Sequence, residues 1–341
     1  MMRARVIYNP TSGKEVLKRN LPDILAIIEE AGYETSAYAT TPDPDSAAEE
    51  AKRAALAGFD LIVAAGGDGT INQVINGVAP LEKRPKIGII PGGTTNDYAR
   101  ALKIPRNDVL DAARVMLKKQ TLKMDIGKAS NHYFINIGAG GYLTELTYEV
   151  PSHLKSIFGY LAYIVKGAEM LPRVKPINMR LEYDEGVYEG EASMFFVGLT
   201  NSVGGFETIV PDAQLDDGKF SLIIVKTANM VEILRLIVKL LNGGKHVNDP
   251  GIIYTKTSKL NVTAIDEGVN LMINIDGEYG GDAPISFNVL PKHIEFYVNL
   301  DEISEDAYVS DTDMKKVSSA FVKEMEVLTQ EDLDEDGKIG R

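Results

Sequence analysis

Residues 62–74, IVAAGGDGTINQV, run from apolar side chains into a glycine pair, a lone carboxylate at Asp68 and a third glycine. The chemistry such a stretch offers is phosphate binding. Glycine lets a phosphate approach the main chain, and a helix start supplies free N–H groups and a positive dipole end. Two further loops share this make-up, NPTSGK (Asn9–Lys14) and GGTTND (Gly92–Asp97). Thr11, Ser12, Thr70, Thr94 and Asn96 can add hydroxyl or amide contacts; Lys14 could reach a phosphate or simply be a solvated lysine at a helix start. A carboxylate in an anion site is repelled unless a cation lies between, so Asp68 points to Mg²⁺, held directly or through its water shell. Taken singly, each loop serves equally well as a strand-to-helix turn, and none matches a Walker A or a Rossmann fingerprint.

The elements that must carry these loops are legible as alternating strand and helix signals over the first ~125 residues, which predict a parallel α/β sheet. Arg5–Tyr8, Glu34–Ala39, Leu61–Ala65 and Lys86–Ile90 read as strands, the third apolar enough for burial on both faces. Leu17, Leu21, Ile24, Ile28 and Ala31 share one helical face, with Pro22 either kinking that helix or opening its regular part. Asp45–Leu56 reads as the next helix. In an open α/β sheet the connecting loops emerge beyond the carboxyl ends of the strands, so the three glycine-rich loops share one edge.

Near residue 125 the rhythm changes. Asn178–Tyr183, Lys259–Ile265, Asn270–Asp276 and His293–Val298 alternate apolar and polar residues, as half-buried strands of an antiparallel sandwich or barrel do. Helices are expected at His153–Leu171 and Met230–Leu241. LDDGKF (Leu215–Phe220) and IDGEYGG (Ile275–Gly281) each contain Asp-Gly, the strongest short hairpin signal, and by themselves read as hairpin tips bearing exposed carboxylates.

In their order and spacing, NPTSGK, GGDGTIN and GTTNDYAR resemble the catalytic domain of the diacylglycerol kinases. TNSVGGFETIVPDAQLDDGKFSLIIV (Thr200–Val225) and INIDGEYGG (Ile273–Gly281) continue the likeness, which spans roughly residues 3–300 and is closest to the bacterial soluble members. The resemblance implies an N-terminal three-layer α/β nucleotide-binding domain over about 1–126. It also implies an antiparallel β-sandwich domain over about 127–300, and allows its last strands to return to the first domain. It implies an ATP- and Mg²⁺-dependent kinase converting diacylglycerol to phosphatidic acid at a cleft between the domains, in phospholipid synthesis. Carried over residue by residue, Glu278 is the general base and Asp68 the other catalytic group. ATP falls to Asn9, Pro10, Thr11, Ser12, Gly13, Thr40, Gly67, Asp68, Gly69, Thr70, Ile71, Asn72, Gln73 and Thr94. A structural Mg²⁺ falls to the Asp217 carboxylate and the main-chain carbonyls of Gln214 and Lys219, with waters, and links Asp217 to Asp68 and Glu278. One departure stands out: Gln73 occupies a position where many members carry Glu.

Composition sets the bounds. The 341 residues suggest two domains, and with no cysteine there is no disulfide or thiolate metal site, in keeping with a reducing cytoplasm. The segment from Asp301 holds 13 acidic against 5 basic residues, a net −8 of the total −13, so the body carries only −5 and nucleic acid is a poor partner. That segment reads as a disordered acidic tail, whose DLDEDGKIGR imitates half a calcium loop but ends before the closing Glu. No signal peptide or spanning segment is recognisable. A lipid kinase would then work peripherally at the inner face of the membrane. Lys155, Lys166 and Arg173, with Lys175, make a basic stripe able to meet anionic lipid, or an ordinary solvated face. A homodimer is also expected. Two rivals stand beside the lipid kinase: a phosphotransferase like NAD kinase, which shares GGDGT but fits NPTSGK and LDDGKF poorly, and a lipid-binding protein with a dead kinase site. A kinase of another lipid alcohol is equally compatible with the motifs.

Overall fold

The computed structural model describes residues 1–141, 176–201, 210, 213–226, 232, 235–236, 239 and 245–303. They form two compact units. The first comprises Met1–Asn136, Gln214–Gly218 and the segment beginning at Val289; the second comprises the described residues of 137–213 and 219–288. The basic stripe of Lys155, Lys166, Arg173 and Lys175 lies outside the described residues, with the whole His153–Leu171 helix that was to carry it. So do the tail from 304 onward and most of Met230–Leu241, of which Glu232, Arg235, Leu236 and Lys239 are helical. Leu300–Ile303 form a helical turn before that tail. Among the described residues no helix is long and apolar enough to cross a membrane.

In the first unit, β1 (Met2–Tyr8), β2 (Tyr33–Ala39), β3 (Leu61–Gly66) and β4 (Lys86–Pro91) form a parallel sheet in the order β2-β1-β3-β4. All six residues of β3 are buried, as its unbroken apolar run requires. The first helical segment, α1 (Val16–Arg19), stops at Asn20, whose side-chain amide donates to the Val16 carbonyl. Pro22 then stands in the first turn of α2 (Leu21–Glu30), so it opens a helix rather than kinking one. After β2 and β3 come α3 (Ser46–Leu56) and α4 (Asp68–Val78). The step from β1 to β2 runs one way across the sheet, and the steps from β2 to β3 and β4 run the other. With right-handed crossovers, α2 covers one face and α3 with α4 the other. Beyond β4, α5 (Asp97–Ala101) leads to α6 (Val109–Arg114), which packs on α2. A hairpin of β5 (Thr121–Ala129) and β6 (His132–Phe134) closes the unit.

The helix pair α3–α4 rests on Gly77, where an added Cβ would overlap the Ala48 carbonyl oxygen and stand 3.0 Å from the Ala51 Cβ. Main chain cannot rotate aside as a side-chain tip can. Gly77→Ala should therefore cost about 1–3 kcal/mol as an overpacked site, and lower the midpoint of thermal unfolding, followed by circular dichroism, by roughly 3–9 °C. An unchanged midpoint would show that the two helices separate freely.

In the second unit, six antiparallel strands run β12 (Ile252–Thr257), β11 (Phe220–Val225), β10 (Met194–Gly198), β7 (Ile137–Gly141), β14 (Met272–Ile275) and β15 (Glu278–Asp282). A second antiparallel layer runs β13 (Lys259–Ala264), β8 (Ile177–Tyr183) and β9 (Gly186–Ala192), and begins with the first residues of β16 (Ile285–Tyr297). Phe195 on β10 meets Phe287 on β16 edge to face, with centroids 6.1 Å apart. Gly138 and Gly140 on β7 leave the room for these two rings. The expected classes hold, an α/β layer system followed by an antiparallel sandwich. One strand needs correcting: His293–Val298 is not a sandwich strand but the far end of β16, where Phe296 pairs parallel with Ile87 of β4.

Candidate active site

The connections from β1 and β3, which are neighbours, leave in opposite directions, and a crevice opens at such a reversal beyond the carboxyl ends of the strands. The three glycine-rich loops meet there. The Asn9 N–H donates to the Ala65 carbonyl at 2.9 Å, and the Thr40 N–H donates to Tyr8, so the ends of β1, β2 and β3 are tied together. Asn9 Oδ1 accepts from the Thr11 N–H at 3.0 Å and from its hydroxyl at 2.9 Å, an Asx turn that shapes Pro10–Gly13. Gly13 follows with φ +57°, and its Cβ position lies 3.3 Å from the Gly92 carbonyl. Gly93 passes so close to Gly67 that a Cβ on it would stand 2.8 Å from the Gly67 Cα. The first and second loops thus each touch the third.

Asp68 occupies the first turn of α4, at the positive end of the helix. Its Oδ2 accepts from the Thr95 hydroxyl at 2.9 Å and the Asn96 N–H at 3.0 Å, and so bridges the second loop to the third. Asn96 itself clamps that loop: its side chain accepts from the Gly93 N–H and donates to the Gly93 carbonyl, both at 2.9 Å, with its own φ at +50°. Thr95 and Asn96 therefore position the site. The sequence held a signal for the second of them, since Asn tolerates the left-handed region.

The remaining residues that the resemblance assigns to the nucleotide divide by where the structure places them. Gly69 and Thr94 are exposed. Thr70 folds back over Gly66, where a Cβ would stand 2.5 Å from the Thr70 hydroxyl. Ile71 is wholly buried in the core. The Asn72 amide lies 3.4 Å from the Tyr133 carbonyl, and Gln73 Oε1 accepts from the Ala47 N–H at 3.3 Å, at the start of α3. Gln73 is thus engaged with a neighbouring helix, which gives the departure at this position a structural setting. Beside the loops a cavity of about 240 Å³ is lined by Gly13, Gly92, Gly93, Arg106 and Asn107, among others.

The Gln214–Gly218 segment belongs to this same unit. It is a bend rather than the hairpin tip that Asp-Gly suggested, because β11 begins only at Phe220 and pairs with β10 and β12. Its Leu215 carbonyl accepts from the Asp125 N–H at 2.8 Å. Among the described residues no three His, Cys, Asp or Glu side chains are grouped to hold a metal ion. The bend itself offers donors of another kind, the half-exposed Asp217 carboxylate, accessible to water, and the Gln214 main-chain carbonyl; Lys219, the third donor that the resemblance names, belongs to the second unit. A hard, hydrated Mg²⁺ fits such donors.

Glu278 lies in the second unit, at the first position of β15 and exposed. It follows the tight turn Asp276-Gly277, whose φ values of +49° and +93° are those of a primed hairpin turn. Asp276 fixes the turn: its Oδ1 accepts from the Ile137 N–H at 2.8 Å, and its own N–H donates to the Ile137 carbonyl. Asn274 Oδ1 accepts from the Gly277 N–H at 3.0 Å. Here the hairpin reading of Asp-Gly holds, and the carboxylate emerges from a rigid corner.

Residues 3–129 match the family model described as Diacylglycerol kinase catalytic domain, and residues 144–298 match the YegS C-terminal NAD kinase beta sandwich-like domain. The chain belongs to the diacylglycerol kinase family. A protein of Staphylococcus haemolyticus named Diacylglycerol kinase is 52% identical over 312 residues, 90% of this chain and 93% of that one. Another of that name, from Staphylococcus aureus strain JH9, is 52% identical over 309 residues, 91% of this chain and 96% of its own. A Bacillus anthracis crystal structure, described there as a proposed diacylglycerol kinase, superposes with a TM-score of 0.76 at 26% identity. That match covers 87% of this chain and 95% of the other. This member of the diacylglycerol kinase family is an enzyme, a kinase with an alcohol as acceptor.

Proposed function

We propose that the chain transfers the γ-phosphoryl group of ATP to diacylglycerol, forming phosphatidic acid and returning diacylglycerol to phospholipid synthesis. It would act from the cytoplasmic side, peripherally at a membrane surface. The observation that supports the donor half is the meeting of three glycine-rich loops at the strand-end crevice, the second bridged to the third by the Asp68 carboxylate and the first set against the third at Gly13 and Gly92. The acceptor half rests on the name of relatives that match along nine-tenths of the chain.

The loops offer main-chain N–H groups to the phosphates, and α4 adds its positive end. Asp68, and the bend bearing Asp217 with the Gln214 and Lys219 carbonyls, are the groups that would hold Mg²⁺. When bound, Mg²⁺ supplies neutralisation of phosphate charge. Glu278 takes the proton from the attacking hydroxyl. Incubation with radiolabelled ATP, with and without a chelator, against mixed micelles of diacylglycerol, ceramide or sphingosine and against NAD tests the proposal. Label should enter phosphatidic acid in a chelator-sensitive way. Label in NAD, or in another lipid in preference, would overturn it.

A further inference from the structure

Asp125, on β5, is buried to 3% exposure. Its carboxylate accepts the Gly218 N–H at 2.5 Å through Oδ2 and the Lys292 N–H at 2.7 Å through Oδ1. Its own N–H donates to the Leu215 carbonyl at 2.8 Å. Both residues that donate to the carboxylate have left-handed main chain, Gly218 with φ +74° and Lys292 with φ +47°. For a lysine that conformation is costly and persists only where the surroundings over-determine it. Burial raises the Asp125 carboxyl above its ordinary value. The two N–H groups work the other way, and the charges of Asp217 and Asp216 add to the rise.

What the arrangement secures is the bend. Leu215 and Gly218, three residues apart, are held by one residue, so the stretch between them has fixed ends. Asp216 is drawn aside by Lys292 Nζ at 3.2 Å, and Asp217 is left next to the fixed Gly218. We infer that Asp125 is the positioning residue of the metal-holding bend. Without touching the cation, it fixes the stretch from Leu215 to Gly218 and with it the main chain that presents the Asp217 carboxylate. This inference rests on the reading of the bend as a Mg²⁺ site.

The test uses the full chain, without nucleotide or lipid, titrated with Mn²⁺ followed by electron paramagnetic resonance and with Mg²⁺ by calorimetry. Asp125→Ala removes both acceptors. Asp125→Asn keeps the shape but turns an NH₂ toward one of the two N–H groups, and it decides the matter should the alanine variant fail to fold. Loss of such an outer partner weakens metal binding about 10–100-fold. Both variants should show a fall of that size, with the far-ultraviolet circular dichroism of Asp125→Asn unchanged. In turnover assays the Mg²⁺ concentration for half-maximal rate should rise, with kcat recovered at saturating Mg²⁺. Asp217→Ala should lose the ion altogether. If Asp217→Ala loses it while Asp125→Asn binds as wild type, the positioning role is overturned and the metal reading stands. If Asp217→Ala itself binds normally, the bend is not the site and the inference falls with it.

Discussion

Glu278→Gln should lower kcat by about 10²–10⁴-fold, the value of a positioned general base, while nucleotide affinity measured by calorimetry stays near wild type. The structure explains why the effect should be confined to chemistry. Glu278 is exposed at the first position of β15, and the corner that holds it is built by Asp276, Gly277, Asn274 and Ile137 rather than by its own carboxylate. Glutamine is isosteric and leaves that corner untouched, so β15 and its pairing with β14 should persist. The loops that would cradle a triphosphate belong to the first unit and share none of these contacts. The alcohol proton has no acceptor in the variant, and turnover falls. Near-native kcat in Glu278→Gln would remove the residue from the reaction; loss of nucleotide affinity with unchanged kcat would assign it to binding.

The parallel sheet was legible because its signals are local. Leu61–Ala65 has no polar residue to contradict burial on both faces, and Pro22 marks a helix start by its own fixed φ. Features set by distant partners were not legible. The strand β7, IGAGG, has almost no side chain to read; Gly138 and Gly140 are there because Phe287 and Phe195 need the space, and those rings lie far along the chain. The two Asp-Gly dipeptides carry the same local signal. One makes a hairpin and the other a bend, because Asp125, 93 residues before Gly218, takes hold of the second. His293–Val298 alternates like a half-buried antiparallel strand, and only its pairing with Ile87 makes it parallel. At the nucleotide loops the residue types were readable, but not their division of labour. The resemblance placed Ile71 in the nucleotide set as one of a run of neighbours, whereas its side chain lies in the core, and nothing local tied the Asp68 carboxylate to Thr95 and Asn96.

Asp68 tests that division of labour, because it has two separable jobs. One is mechanical: Oδ2 bridges the second and third loops through the Thr95 hydroxyl and the Asn96 N–H, and Asn96 in turn clamps Gly93. The other, on the proposed reading, is electrostatic, a negative charge at the start of α4 that would hold a cation beside phosphate. Asp68→Ala removes both. Asn96 is buried, so its N–H is stranded at a cost of about 1–3 kcal/mol. The third loop is then free to shift, and a displacement of an ångström in a catalytic geometry costs about 10²-fold. Asp68→Asn restores an oxygen acceptor for the bridge without the charge. The alanine variant should therefore lose both thermal stability and about 10²-fold or more in kcat/KM for ATP. The asparagine variant should keep its unfolding midpoint and still be impaired, with a raised Mg²⁺ requirement. If Asp68→Asn is fully active, the carboxylate serves only as a bridge and the cation is held elsewhere. If Asp68→Ala is as stable and as active as the wild type, the loops do not depend on Asp68 at all, and the crevice at the β1–β3 reversal is not where the nucleotide binds.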